Sequence, residues 1–211
     1  MNNTQEKGFS LVELSIVLVI IGIIIGGVLT GQQVMESARI TNVVSAIQAY
    51  QAQVQTYNQN FGTLPGDDAN ADSRFSVSVG VCSGTDCGDG KIGTSSSFNA
   101  SSGATDASAE SRYVWEQLRA ANLVKNQGSD TGAQPSNPFG GVYGFQNGSS
   151  GGEFDSNIIC ISEIPGTAAQ GIDARLDDGV RNDGQMRAID GGSDGDKAYQ
   201  EGTSYTICIR M

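Results

Sequence analysis

Residues 11–29 form an almost unbroken apolar run: Leu11, Val12, Leu14, every residue from Ile16 to Ile21, Ile23, Ile24, Ile25, Val28 and Leu29. Coiled as an α-helix, about 20 residues rise roughly 30 Å, the hydrocarbon thickness of a bilayer. A helix on the edge of a soluble core keeps one polar face, and this one has none. The segment therefore enters a membrane. A secretory signal peptide is the competing reading and fits poorly: the run outlasts a typical signal core, and no small-x-small cleavage site follows it. A short polar leader, residues 1–8, precedes the run, with Lys7 as its single cation. That charge holds its own end in the cytoplasm and sends the C-terminus outward.

One residue is out of place. Glu13 sits inside the run, where a carboxylate costs about 2–4 kcal/mol at the bilayer centre and less near an interface. Either it snorkels to the headgroups or a cation elsewhere in an assembly answers it. Gly22-x3-Gly26 and Gly27-x3-Gly31 allow close helix approach. They also weaken the helix by about 1 kcal/mol each relative to Ala.

Lys7-Gly8-Phe9-Ser10-Leu11-Val12-Glu13-Leu14, with the apolar helix behind it, resembles the N-terminus of type IV pilins and type II secretion pseudopilins. The resemblance implies that a prepilin peptidase cuts after Gly8 and that the new amino terminus, Phe9, is methylated. It implies that Glu13 neutralises the Phe9 ammonium of a neighbouring subunit. The implied protein is a structural subunit and not an enzyme. It spans the inner membrane once, with its C-terminus outside the cytoplasm, and passes through an inner-membrane assembly platform into a homo-oligomeric helical filament, periplasmic or extracellular. A pilus subunit, a secretion pseudopilus subunit and a minor subunit at a filament tip all satisfy the motif. Opposite charges in a low-dielectric bundle attract strongly, yet each is costly alone. The pair would act as a register device, and methylation keeps the amine cationic.

The helix continues past the bilayer. Ile40, Val44, Ile47, Tyr50, Val54, Tyr57 and Phe61 recur at spacings of three and four, one apolar stripe on an amphipathic helix. No proline interrupts residues 9–64, and Gly62 with Pro65-Gly66 supplies the stop. The organisation expected is a leader (1–8), a transmembrane and filament-core helix (9–33), its amphipathic continuation (34–64) and a globular head (65–211). A second helix is expected over 107–123, with Trp115 as a core anchor, and strands over 141–146, 157–161 and 204–209. The fold class is α+β and pilin-like. Its apolar half-helix protrudes, and its amphipathic half packs on a small antiparallel sheet in a loop-rich head.

The head is rich in Gly, Ser, Asn and Asp, and the chain holds 29 glycines. Its net charge of −11 repels phosphate backbones, so nucleic-acid binding driven by bulk charge is not expected. There is no histidine, which removes His-dependent triads and HExxH zinc sites. Cys82, Cys87, Cys160 and Cys208 all lie beyond the apolar run. An even number in an exported domain suggests two disulfides stapling the head, with three pairings open. Closing Cys82 on Cys87 would leave Cys160 to hold the C-terminal strand through Cys208. Four thiolates around zinc is the alternative, weakened by the absence of paired CxxC spacing.

Further segments resemble features of a bacterial prepilin group: Leu64-Pro65-Gly66-Asp67 after the helix, Gly88-Asp89-Gly90 ahead of Glu110, Trp115, Leu118 and Ala121, and Leu176-Asp177-Asp178-Gly179. Residues 93–107 carry no such likeness. Alternating Asp and Gly is how loops fold around calcium, and Asp86, Asp89, Asp177 and Asp178 are its candidate ligands, with Asp173, Asp183, Asp190, Asp194 and Asp196 nearby in sequence. No EF-hand pattern is complete, and adjacent acids such as Asp177 and Asp178 make a poor acid/base dyad. No other cofactor is called for. Arg74, Arg112, Arg119, Arg175, Arg181 and Arg187 are scattered, and acidic faces of neighbouring subunits are their expected partners.

Overall fold

A computed structural model describes residues 8, 10–75, 77–84, 87–94, 98, 109–125, 131–148, 154–189 and 198–211. Phe9, Asp86, Asp190, Asp194, Asp196 and the leader before Gly8 lie outside the described residues. The chain divides into two compact units, Met1–Arg39 and Ile40–Met211. The first consists of the opening turns of helix α1, Leu11–Phe61. None of its described residues is buried, and its apolar side chains, from Leu11 to Met35, are more than two-fifths exposed.

The second unit is an α+β head. It holds the rest of α1, then α2 (Ala71–Arg74), α3 (Glu110–Ala120), β1 (Tyr143–Asn147), β2 (Asn157–Pro165), α4 (Gly166–Leu176), β3 (Met186–Ala188) and β4 (Ser204–Arg210). The four strands make one antiparallel sheet in the order β1-β2-β4-β3. Period-two alternation sorts its side chains. Two cross-strand rows, Tyr143–Ile161–Ile207–Ala188 and Phe145–Ile159–Ile209–Met186, line one face. Both rows share the main core with the stripe of α1: Ile40, Val43, Ile47, Val54 and Tyr57 are buried, and Val44, Tyr50 and Phe61 pack at its margin. Trp115 on α3 is fully buried there, edge-on to Tyr50 at 5.1 Å and 5.0 Å from Phe145.

Helix α1 stops where the stop signal stands. Gly62 adopts a left-handed φ of 74° and donates its N–H to the Asn58 carbonyl at 2.7 Å, closing the last turn. Helix α4 and strand β3 carry no clear local signal. Two glycines lower the helix propensity of Gly166–Leu176, but Ala168, Ala169 and Ile172 are buried in the core. A Cβ added at Gly171 would come within 3.0 Å of Ile40 Cδ1, so close packing on α1 is what that glycine serves.

The far face of the sheet carries a second, smaller cluster. Cys160 and Cys208 are directly opposite on β2 and β4, with Cα atoms 4.1 Å apart, and form a disulfide. Ile158 and Phe154 join them, with Phe98 and Ile189 alongside. The guanidinium carbons of Arg187 and Arg210 each lie 5.7 Å from the Phe154 ring. The second disulfide joins Cys82 to Cys87. Their sequence separations are 48 and 5. Chain-entropy bookkeeping gives the longer one about 4 kcal/mol and the shorter about 2 kcal/mol.

Candidate functional site

The N-terminus of α1 is built by a reciprocal cap. Ser10 is the N-cap, because its carbonyl accepts the first helical bond, from Leu14 N–H at 3.2 Å. The Ser10 hydroxyl oxygen accepts the Val12 N–H at 3.3 Å. Three residues on, Glu13 reaches back, and its Oε2 accepts the Ser10 N–H at 2.9 Å. The pattern Ser10-x-x-Glu13 is a capping box, legible in the sequence but hidden there by the attention Glu13 draws as a misplaced acid. Gly8, just before it, is exposed with open space around its Cα. Behind the cap, the apolar helix has a window of mean hydropathy 2.8, none of it buried. An accessible glycine, a capped helix start and a bilayer-length apolar stem follow one another.

This order of parts can be compared with known families. Residues 3–29 match the family described as the prokaryotic N-terminal methylation motif. The N-terminus is a prepilin signature. Comparison of the whole chain with curated proteins and with solved structures yields no match. The N-terminal methylation motif supports a filament subunit of the type IV pilin and pseudopilin kind. The apolar helix behind it is long and apolar enough to cross a membrane, which fits an anchor.

Below the prepilin segment, the head is organised by polar side chains on α3. Most of the head between α1 and β1 is loop, and buried backbone groups in loops need partners. Helix α3 supplies them. Gln117 accepts the Gly66 N–H at 2.7 Å and donates to the Gly80 carbonyl at 2.9 Å. Glu116 accepts the Gly80 N–H at 2.6 Å, and Glu110 the Gly93 N–H at 2.8 Å. Arg119, 4% exposed, donates to the carbonyls of Lys125, Thr131 and Ala133. The arginines expected to meet neighbouring subunits are thus engaged within the head. Arg74 pairs with Asp68 at 2.5 Å and Arg112 with Glu116 at 3.1 Å. Arg175 donates to Thr41 Oγ1, Arg187 to the Gly184 carbonyl, and Arg181 is buried. Sequence spacing shows only the Arg112–Glu116 pair, at i and i+4 on α3; the carbonyls that Arg119 reaches lie in loop.

The acidic residues separate into two places. Asp67, 3% exposed, accepts the N–H groups of Gly88 and Gly90, holding the chain just beyond the Cys82–Cys87 disulfide. Burial pushes its carboxyl above the usual range, while those amides pull it down. Asp89 faces Lys91 instead, with its Oδ2 3.7 Å from Nζ. In the other place, Asp173, Asp177 and Asp178 bring carboxylate oxygens within 4.8 Å of one another. Of the candidate calcium ligands among the described residues, Asp177 and Asp178 group with Asp173, and Asp89 does not join them. The oxygen donors suit a hard cation. Each already accepts protein bonds: Asp173 from Tyr199 O–H at 2.7 Å and Gly179 N–H, Asp177 from Gln185 N–H and Met186 N–H, and Asp178 from Val180 N–H.

Asp173 is fully buried, and that burial pushes its carboxyl up to about 6, with the Tyr199 hydroxyl opposing and Asp178 and Asp177 reinforcing. The folded state then holds this proton more tightly than the unfolded chain. Its stabilising contribution is complete below about pH 4 and lost as pH rises through 6. Asp173→Asn, which mimics the protonated acid, is expected to gain melting temperature on the wild type as pH is raised from 4 to 7. A constant difference across that range would show that Asp173 does not titrate in this window.

Proposed function

We propose that the chain is a structural subunit of a type IV pilus or related filament. A prepilin peptidase cuts it after Gly8, the Phe9 amine is methylated, and the subunit waits in the inner membrane on its apolar helix with the head outside the cytoplasm. Through the assembly platform it then polymerises with its own copies, helix against helix. The observation that carries this reading is the N-terminal methylation motif running directly into a helical segment, Leu11 to Met35, whose large apolar side chains are all exposed. Apolar surface on this scale is a binding surface, for lipid first and for neighbouring helices afterwards. Small residues at Gly22, Gly26, Gly27 and Gly31 support close approach of those helices.

The test is the mass of the mature N-terminus in sheared surface material. A chain beginning at methylated Phe9 and recovered in filaments is the expected result. A chain that retains residues 1–8 in cells containing the peptidase overturns the reading.

A second reading places the subunit at a filament tip as a calcium-dependent binding module. The convergence of Asp173, Asp177 and Asp178 favours it, and Asp89 would have to act elsewhere. Calcium should then raise the head's melting temperature, and Asp177→Asn should remove the rise.

A further inference from the structure

We propose that Asp183 is a site of spontaneous covalent modification in the folded head: the Gly184 backbone nitrogen closes on its side chain, and the ring reopens in water as isoaspartate. This goes beyond the filament reading, because it needs only the folded head.

An Asp-Gly or Asn-Gly step is open to this reaction, since glycine has no Cβ to shield its nitrogen and the side-chain carbonyl carbon lies close by in the same chain. Four such steps fall among the described residues: Asp89-Gly90, Asn147-Gly148, Asp178-Gly179 and Asp183-Gly184. Asp190-Gly191 and Asp194-Gly195 lie outside them. The fold treats the four differently. Gly90 N–H donates to Asp67 at 2.8 Å, Gly148 N–H to the Ser156 carbonyl at 2.9 Å, and Gly179 N–H to Asp173 at 3.2 Å. A remote acceptor thus holds each of these nitrogens. The side chains before them are held as well: Asp89 and Asp178 accept the N–H groups of Lys91 and Val180, and Asn147 Nδ2 donates to Asn157. Gly184, alone of the four, turns its N–H back on the preceding side chain, 2.9 Å from Asp183 Oδ1. Asp183 is exposed, so water reaches it.

Rotation about Cβ–Cγ, a soft torsion in aspartate, turns the face of the carboxyl towards the Gly184 nitrogen. The nitrogen bonds to Cγ. Its proton and one taken from solvent leave with a carboxyl oxygen as water, which gives a cyclic succinimide. Water then attacks either ring carbonyl. Attack at Cγ breaks the new bond and restores aspartate. Attack at the main-chain carbonyl breaks the original peptide bond and leaves the chain running through Cγ, as isoaspartate. One water is lost and one regained, and no oxidant or reductant takes part.

The isoaspartyl link adds a methylene to the main chain in a turn with little slack. The Gly184 carbonyl accepts Arg187 Nε at 3.1 Å. Asp177 Oδ2 accepts the N–H groups of Gln185 and of Met186, the first residue of β3. A Cβ added at Gly184 would collide with that same Oδ2, so the turn already packs on the carboxylate. Lengthening it draws Gln185 and Met186 off Asp177 and loosens the entry to β3.

The experiment ages the full chain in detergent and heavy-oxygen water, at physiological temperature and neutral pH, followed by trypsin digestion and mass spectrometry. The peptide that follows Arg181 and ends at Arg187 holds Asp183 as its only aspartate. Isoaspartate and heavy oxygen are expected there roughly fivefold or more faster than at Asp89, Asp178 or Asn147, where a hydrogen bond must first break. In denaturant that order is expected to vanish and Asn147 to lead, because a side-chain amide cyclises faster than a carboxylate. Asp183→Glu keeps the charge but disfavours ring closure. It is expected to abolish the modified peptide and to hold the melting temperature that the wild type loses as it converts. Conversion in the folded chain that is equal at the four steps, or fastest at Asn147, would overturn the proposal. Conversion at Asp183 with no difference in melting temperature from Asp183→Glu would overturn the loosening of β3.

Discussion

Glu13→Leu is expected to abolish bulk filaments while leaving the processed subunit in the membrane. Two terms act in the same direction. Removing the carboxylate relieves a cost of about 2–4 kcal/mol in the bilayer, so the subunit is held there more firmly. In the bundle, the neighbour's Phe9 ammonium loses its counter-charge. Removing one member of a buried pair costs roughly 3–5 kcal/mol, because the other is left uncompensated. That is a factor of a hundred or more per added subunit. Sheared-filament yield reads the loss directly, and an immunoblot of the membrane fraction shows whether cleaved subunit accumulates. Filaments that persist around an unassembled variant would place this chain at a tip instead of in the shaft. Glu13→Gln divides the effect, since glutamine can keep the cap without the charge and leucine removes both.

Gly66→Ala is expected to destabilise the head by roughly 2–5 kcal/mol. Two causes add. Gly66 has a φ of 93°, a left-handed conformation that costs an L-residue about 1–2 kcal/mol. The new Cβ would also lie 2.6 Å from the Glu110 carbonyl oxygen and 2.8 Å from Val114 Cγ2. Overpacking of this kind costs typically 1–3 kcal/mol. The position is a joint. Gly66 N–H bonds to Gln117, Asp67 accepts the Gly90 N–H just beyond the Cys82–Cys87 disulfide, and Asp68 accepts the Tyr57 hydroxyl at 2.9 Å and the Asn70 N–H while pairing with Arg74. Denaturant unfolding of the full chain in detergent measures the loss. Gly62→Ala is the control: its φ of 74° is equally left-handed, but its Cβ would meet open space. It should lose only the conformational part. Equal losses at the two glycines would mean that the contact with α3 carries no energy.

These two glycines show where local reading reaches its limit. Both were legible as punctuation after a long helix. Only the fold distinguishes the one that ends α1 from the one that lets α3 approach the chain. The same division runs through the head. The strands over 141–146, 157–161 and 204–209 were readable because β-branched and aromatic residues alternate between turns, and the observed strands begin or end within a few residues of them. Helix α4 was not readable, since its glycines argue against a helix until Ile40 is packed on one of them. At Glu163, β2 carries a φ of 58° where its register with β4 shifts, a bulge that no local motif announces.

What the amino-acid order determined by itself is the long helix, its division into an all-apolar and a one-sided half, and the prepilin signature at its start. These follow from periodicity, length and a contiguous motif, all local quantities. Tertiary structure alone decided that Cys160 faces Cys208 on the side of the sheet away from α1, and that Arg119, Glu116 and Gln117 bond to loop backbone. It also drew Asp173 to Asp177 and Asp178 while leaving Asp89 apart. The physical reason is that a buried polar group is satisfied by whatever donor or acceptor the fold brings within about 3 Å. In a head with this much loop, those partners are backbone atoms far away in sequence.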